Sequence, residues 1–227
     1  MGVDDRDCDC ELPREIDDDG LQAYSKDPHE VNSSLSPSKQ SLLTGFITFS
    51  RLCQISKKIV RSMSPLEMKR IQARFGAEKA RLKICKRVQR LDGELAKWLR
   101  SLPDSVAFSA VDPTSESPHL TMCTISYILH AGSVINLYRQ AIISCPIQFL
   151  ANVPSPLIRN APDGTGMSLD QSSHLRCLDA ARSCIKVAEL IQERIPPSHH
   201  LAYCSHYLTL SGIILYVPHL ERLRRII

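Results

Sequence analysis

The chain has 227 residues and a net charge of +4, with 43% apolar and 23% charged residues. That is an ordinary globular composition, enough for a real hydrophobic core in one large domain or two small ones. The nine cysteines are odd in number and the acidic start MGVDDRDCDC lacks the apolar segment of a signal peptide, which argues against a disulfide-built secreted protein and for free thiols in a reducing compartment.

Residues 1–30 carry eleven acids against three bases. With Pro13, Gly20 and Pro28, residues 1–35 read as an extended or loosely ordered arm. Ser36-Pro37 then suits a helix start, and Leu42, Leu43, Phe46, Ile47, Phe49, Leu52, Ile55 and Ile59 follow at three- and four-residue steps. Ser64-Pro65-Leu66-Glu67 is a capping-box start for the next helix. Its apolar positions include Ile71, Phe75, Leu82, Cys85, Val88, Leu91, Leu95, Trp98, Leu99 and Leu102, with Gly76 and Gly93 as candidate breaks and Pro103 as its end.

Residues 103–118, with three prolines, read as a loop. Residues 119–144 predict a helix apolar nearly all round, either a core helix or a membrane span. His119, His130, Asn136, Gly132 and several Ser/Thr within it favour the core reading, and no membrane partner is expected. The run has no charge from Pro118 to Tyr138 and ends at Arg139. Ile135, Leu137 and Tyr138 are expected to be buried. Arg139 is expected to pack its stem and turn its cation to backbone carbonyls or a carboxylate.

Residues 151–172, rich in Pro and Gly, read as a surface loop. A helix is expected from about Ser173 to Arg194, lined by Leu175, Leu178, Ala181, Ile185, Val187, Ala188 and Ile191. A last apolar helix is expected from about Ser198 to Tyr216, stopped by Pro218. No window alternates as a strand, so the expected fold is all-α: a single domain of five or more helices over 36–227, behind the arm.

Residues that carry chemistry are sparse. There is no G-x-S-x-G, and Gly164-Thr165-Gly166 opens no phosphate-binding loop. Asp17-Asp18-Asp19 reads as a solvated acidic run, and the sequon Asn32-Ser33-Ser34 would need a secretory route. There is no C-x-x-C, and Cys177 and Cys184, two turns apart, are expected to pack as small hydrophobes. Cys8 and Cys10 supply at most half a metal site. His199, His200, Cys204 and His206 form the most tempting metal cluster, since His200 and Cys204 are one turn apart; a helix start with polar histidines and one buried cysteine is the preferred reading. Residues 67–100 hold eleven Lys/Arg against four acids. The basic stretch Lys69–Arg90 is read as a solvated helix face with, at most, weak salt-sensitive attraction to polyanions. No catalytic, cofactor-binding or metal residues are assigned, and a non-enzymatic role is expected.

Five segments in order carry a resemblance. Cys10-Glu11-Leu12-Pro13-Arg14-Glu15-Ile16-Asp17-Asp18-Asp19, Phe49-Ser50-Arg51-Leu52-Cys53-Gln54-Ile55, Leu91-Asp92-Gly93-Glu94-Leu95-Ala96-Lys97-Trp98-Leu99-Arg100-Ser101-Leu102-Pro103, Ile135-Asn136-Leu137-Tyr138-Arg139-Gln140-Ala141-Ile142 and Cys177-Leu178-Asp179-Ala180-Ala181-Arg182 resemble the fungal-specific transcription factor domain. This is the middle homology region found behind a binuclear zinc cluster in fungal regulators. Tyr138 stands where that family usually has His, and Gln140 where it usually has Pro. The resemblance implies a regulatory helical region in the nucleus, acting in DNA-templated transcription, with protein partners or a small-molecule inducer. Zinc and DNA are implied only through the zinc cluster of full-length relatives, whose spacing this chain does not contain. The chain therefore looks like a fragment or an N-terminally truncated version of a larger helical domain. A helical small-molecule-binding or protein-interaction module without DNA function is the alternative.

Overall fold

The computed structural model describes residues 12–13, 42–104, 106, 118–144, 169–194 and 202–224. These contain six helices and no strand, an all-α fold. They are α1 (Leu42–Ser62), α2 (Pro65–Phe75), α3 (Ala77–Arg100), α4 (Pro118–Ser144), α5 (Leu169–Arg194) and α6 (Ala202–Arg224). The expected arm over 1–35 apart from residues 12–13, the Ser36-Pro37 start and most of the 151–172 loop lie outside the described residues.

Local chemistry sets the element ends. At Ser64 the backbone is extended, and its hydroxyl accepts from the Glu67 N–H at 3.3 Å, with Pro65 opening α2. This N-cap was legible in the capping-box pattern. Gly76 takes φ +73°, which only glycine adopts without strain, and so separates α2 from α3. Gly93 makes no break; α3 runs through it to Arg100, and Ser101 caps the end. Two other expectations are corrected. α5 starts at Leu169, inside the expected loop, and α6 continues through Pro218 to Arg224. A proline removes only one ladder donor, and the flanking turns keep the helix going.

α4 is the centre: α1, α3, α5 and α6 all pack on it, α5 most extensively. Its Leu120–Ile142 stretch is long and apolar enough to cross a membrane, yet most of it is covered by the neighbouring helices, as a core helix requires. Two buried hydroxyls in this uncharged run are satisfied within the helix. Thr124 Oγ1 donates to the Leu120 carbonyl at 2.8 Å, and Ser133 Oγ to the Leu129 carbonyl at 2.7 Å. Gly132 lets α6 come close: a Cβ there would lie 2.6 Å from Cγ and Cε1 of Tyr207 and closer still to Cδ1.

The core joins Leu52 and Ile59 of α1 with Ile84, Val88, Leu91, Leu95 and Trp98 of α3, and with Ile128, Ile135, Leu137 and Tyr138 of α4. Trp98 and the Ile135–Leu137–Tyr138 group are buried as expected. Phe46, Leu82, Leu99 and Leu175 are not; each is exposed. Leu99 sits one residue beyond Trp98, about 100° further round the helix and off the buried face. On α5 the buried face is Ser173, Cys177, Ala181, Cys184 and Val187. These small side chains bring α5 close to α4, and the larger aliphatic Leu175 is left outside.

Candidate functional site

The polar groups of the interior gather where α3, α4 and α5 meet. From α3 comes Asp92, one residue after buried Leu91, and from α5 Arg176, one residue before buried Cys177. Each charge therefore sits at the rim of its helix's buried face. Arg176 NH1 donates to both Asp92 carboxylate oxygens, at 3.0 and 2.9 Å. The guanidinium carbon lies 5.8 Å from the centre of the Tyr138 ring, a cation-over-ring placement. Tyr138 is buried beside this pair, and burial and the Asp92 carboxylate both raise its pKa.

Next to this triad, the Trp98 indole stacks on His130 with ring centres 5.4 Å apart and an interplanar angle of 18°. Trp98 Nε1 donates to the Thr48 carbonyl of α1 at 3.0 Å. A buried indole needs such an acceptor, and here it ties α3 to α1. On the other side of Tyr138, Arg139 donates through NH2 to Asn136 Oδ1 at 3.3 Å, while its Nε is buried with no acceptor. The expectation for Arg139 is corrected. Its stem does pack, but its partner is the side-chain amide oxygen of Asn136 one turn back, not a backbone carbonyl or a carboxylate. Its positive charge reaches the Cys177 thiol.

Burial governs the titration of the cluster. Tyr138 is pushed well above its ordinary value by burial and by the Asp92 carboxylate, against the opposing pull of Arg176. His130 is lowered by burial, with Asp92 opposing. The Cys177 thiol is raised by burial to about 11, Arg139 pulling the other way. Cys123 and Cys204 are likewise raised to about 11, chiefly by burial. The tyrosine and the thiols are thus held away from their anionic, nucleophilic forms. What the arrangement provides is a joint: a carboxylate from α3 binds a cation from α5, and that cation lies over a ring from α4.

Cys177 and Cys184 are buried free thiols, packing as small hydrophobes; the Cys184 Sγ approaches the Ile128 carbonyl at 4.0 Å. Cys204 is buried whereas His206, two residues on, is exposed, so those two do not face a common point; His199 and His200 lie outside the described residues. Among the described residues no group of three or more His, Cys, Asp or Glu side chains gathers to hold a metal. Cys8, Cys10, Asp17–Asp19, Asn32–Ser34 and Gly164–Gly166 also lie outside the described residues.

Sequence reading missed His130 and Arg176 as site residues, and saw Asp92 only as part of a segment. A faint signal existed. Asp92 and Arg176 are opposite charges, each adjacent to a core position.

Comparison with models of known protein families, with curated proteins and with solved structures finds no match to this chain.

Proposed function

We propose that this chain is the regulatory, non-enzymatic region of a fungal transcription factor, nuclear, governing a DNA-reading module that it does not itself contain. One observation supports the reading. Four of the segments that carry the resemblance contribute to one buried core: Leu52 from the α1 segment, Leu91 and Trp98 from the α3 segment, Ile135 and Tyr138 from the α4 segment, and Cys177 and Ala181 from the α5 segment. Segments whose shared work is to build a helical junction suit a domain whose output is a conformation or a contact. Its partners are then a DNA-reading module and other proteins or a small-molecule inducer.

The test is a reporter assay in a fungal cell, with the full chain fused behind an unrelated DNA-reading module. Reporter output should differ from that of the module alone, and Asp92→Ala with Tyr138→Ala should abolish the difference. Identical output with and without the chain would overturn the reading.

A second reading, an effector-binding helical module, is favoured by the enclosed Arg139 Nε that lacks an acceptor. A guanidinium offers five N–H donors in a fork that matches a carboxylate. Raised melting temperature with small carboxylates, lost in Arg139→Gln, would select this reading over the first.

A further inference from the structure

α3 carries eight Lys/Arg, and the fold sorts them. Arg87 turns inward, donating to the Ser62 carbonyl at 2.8 Å and pairing with Glu67. Six others, Lys79, Lys83, Lys86, Arg90, Lys97 and Arg100, are exposed. Their spacing of 4, 3, 4, 7 and 3 residues keeps them within an arc of about 100°, roughly opposite the face that holds Ile84, Val88, Leu91 and Leu95. The other residues within that arc are Gly93 and the exposed Leu82. At the helical rise the row is about 30 Å long.

The acids that would neutralise this row are drawn off. Asp92 is held by Arg176 of α5, Glu94 by Lys58 of α1 at 3.0 Å, and Glu67 by Arg87. Glu78 remains, in the first turn of α3, where it complements the helix N-terminus. None of the six row cations makes an ion pair among the described residues. A solvated helix face ordinarily interleaves both signs. Here the protein spends its α3 acids on cations from neighbouring helices and leaves a line of one sign.

We propose that this row is a sequence-independent contact surface for the phosphate backbone of double-stranded DNA. A straight, rigid line of cations of this length matches about one turn of duplex, roughly 34–36 Å. Backbone contacts need charge and register, not base-edge readers, and the row has none of the latter. Single strands would need a free aromatic platform. The nearest ring, Phe75, is covered, with Lys83 Nζ 3.8 Å and the Arg74 guanidinium 5.3 Å from its centre. An acidic protein would need an aromatic anchor at the centre of the patch, and the row contains none. The surface rests on charge geometry and is independent of the regulatory reading.

The test is anisotropy of the full chain with two labelled duplexes of unrelated sequence, from about 20 to about 200 mM salt. Both duplexes should bind equally, with log K falling against log salt at a slope of about −0.9 per cation engaged. Lys83→Gln with Lys86→Gln and Arg90→Gln should make that slope shallower by about 3 and weaken binding at the lowest salt by at least about tenfold. The charge-matched control, Arg51→Gln with Arg182→Gln and Lys186→Gln on other exposed faces, should leave the slope near that of the unmodified chain. Circular dichroism checks that both variants fold. Absence of binding at the lowest salt, equal loss in the control, or equal affinity for a single strand or for polyglutamate would each overturn the proposal.

Discussion

Arg176 of α5 holds Asp92 of α3 through a single guanidinium nitrogen, 3.0 and 2.9 Å from its two carboxylate oxygens, across 84 residues of chain. The two side chains keep 48% and 23% of their surface in water, so the ion pair alone contributes little. Asp92 is the more enclosed partner, and burial together with its carboxylate raises the pKa of Tyr138.

Replacing the two partners should therefore have unequal effects. Asp92→Ala leaves a half-exposed guanidinium that water can solvate, a loss of about 0.2–1 kcal/mol. Arg176→Ala leaves the more enclosed carboxylate without its cation, a loss of about 1–3 kcal/mol. Urea unfolding of the two variants measures both. Equal losses would show that Asp92 is no more dependent on its partner than Arg176 is.

Thiol chemistry offers a second check. Burial raises Cys123, Cys177 and Cys204 to about 11 and also raises Cys184. At neutral pH these carry almost no thiolate and little access. Brief alkylation of the native chain, mapped by mass spectrometry, should spare all four, and alkylation in denaturant should label them fully. Modification of Cys177 or Cys184 in the native protein would mean that α5 does not lie on α4 as described.

The helices were legible because their apolar residues recur at helical steps, and the Ser64 cap because a hydroxyl before Pro65 has one geometric use. Trp98 and Tyr138 were legible as core for the same reason. The buried face of α5 was not. Ser173, Cys177, Ala181 and Cys184 are weakly hydrophobic, and their burial follows from the close approach to α4 that their size permits. Leu175 is the more apolar residue and stays exposed. The Asp92–Arg176 contact was hidden differently: nothing local to either helix says which charge faces which. Gly76 and Gly93 look alike in sequence, and only the turn at Gly76, with φ +73°, needs a glycine.

His130 gives a pH dependence whose sign is fixed. Burial lowers its pKa below the ordinary 6.5, so the unfolded chain takes up a proton before the native chain does. Stability is then at its full value above about pH 6.5 and falls as pH drops from there toward the native pKa of His130. His130→Gln should flatten that part of the profile. Asp92→Asn removes the charge that opposes the shift, lowers the native pKa further and extends the loss to lower pH. Unfolding free energies of the three proteins between about pH 7.5 and 5 measure this. A His130→Gln profile as steep as that of the unmodified chain would assign the pH dependence to other groups.

The contact of Gly132 with Tyr207 predicts a change of sign. In isolation, alanine is favoured over glycine inside a helix by about 1 kcal/mol. At Gly132 the added methyl would meet the Tyr207 ring at 2.6 Å or less, which real contacts do not allow. Either the ring or all of α6 has to move away from α4. Forcing a methyl into packing of this kind costs about 1–3 kcal/mol, so Gly132→Ala should destabilise the protein despite the better propensity. In the Tyr207→Ala background the obstacle is gone. There the same substitution should become neutral or stabilise by up to about 1 kcal/mol. Four proteins, the unmodified chain, each single variant and the double variant, are compared by urea unfolding. The two positions are coupled by contact, so the cycle should be strongly non-additive. If Gly132→Ala has the same effect in both backgrounds, then α6 does not rest on the α4 backbone at this point.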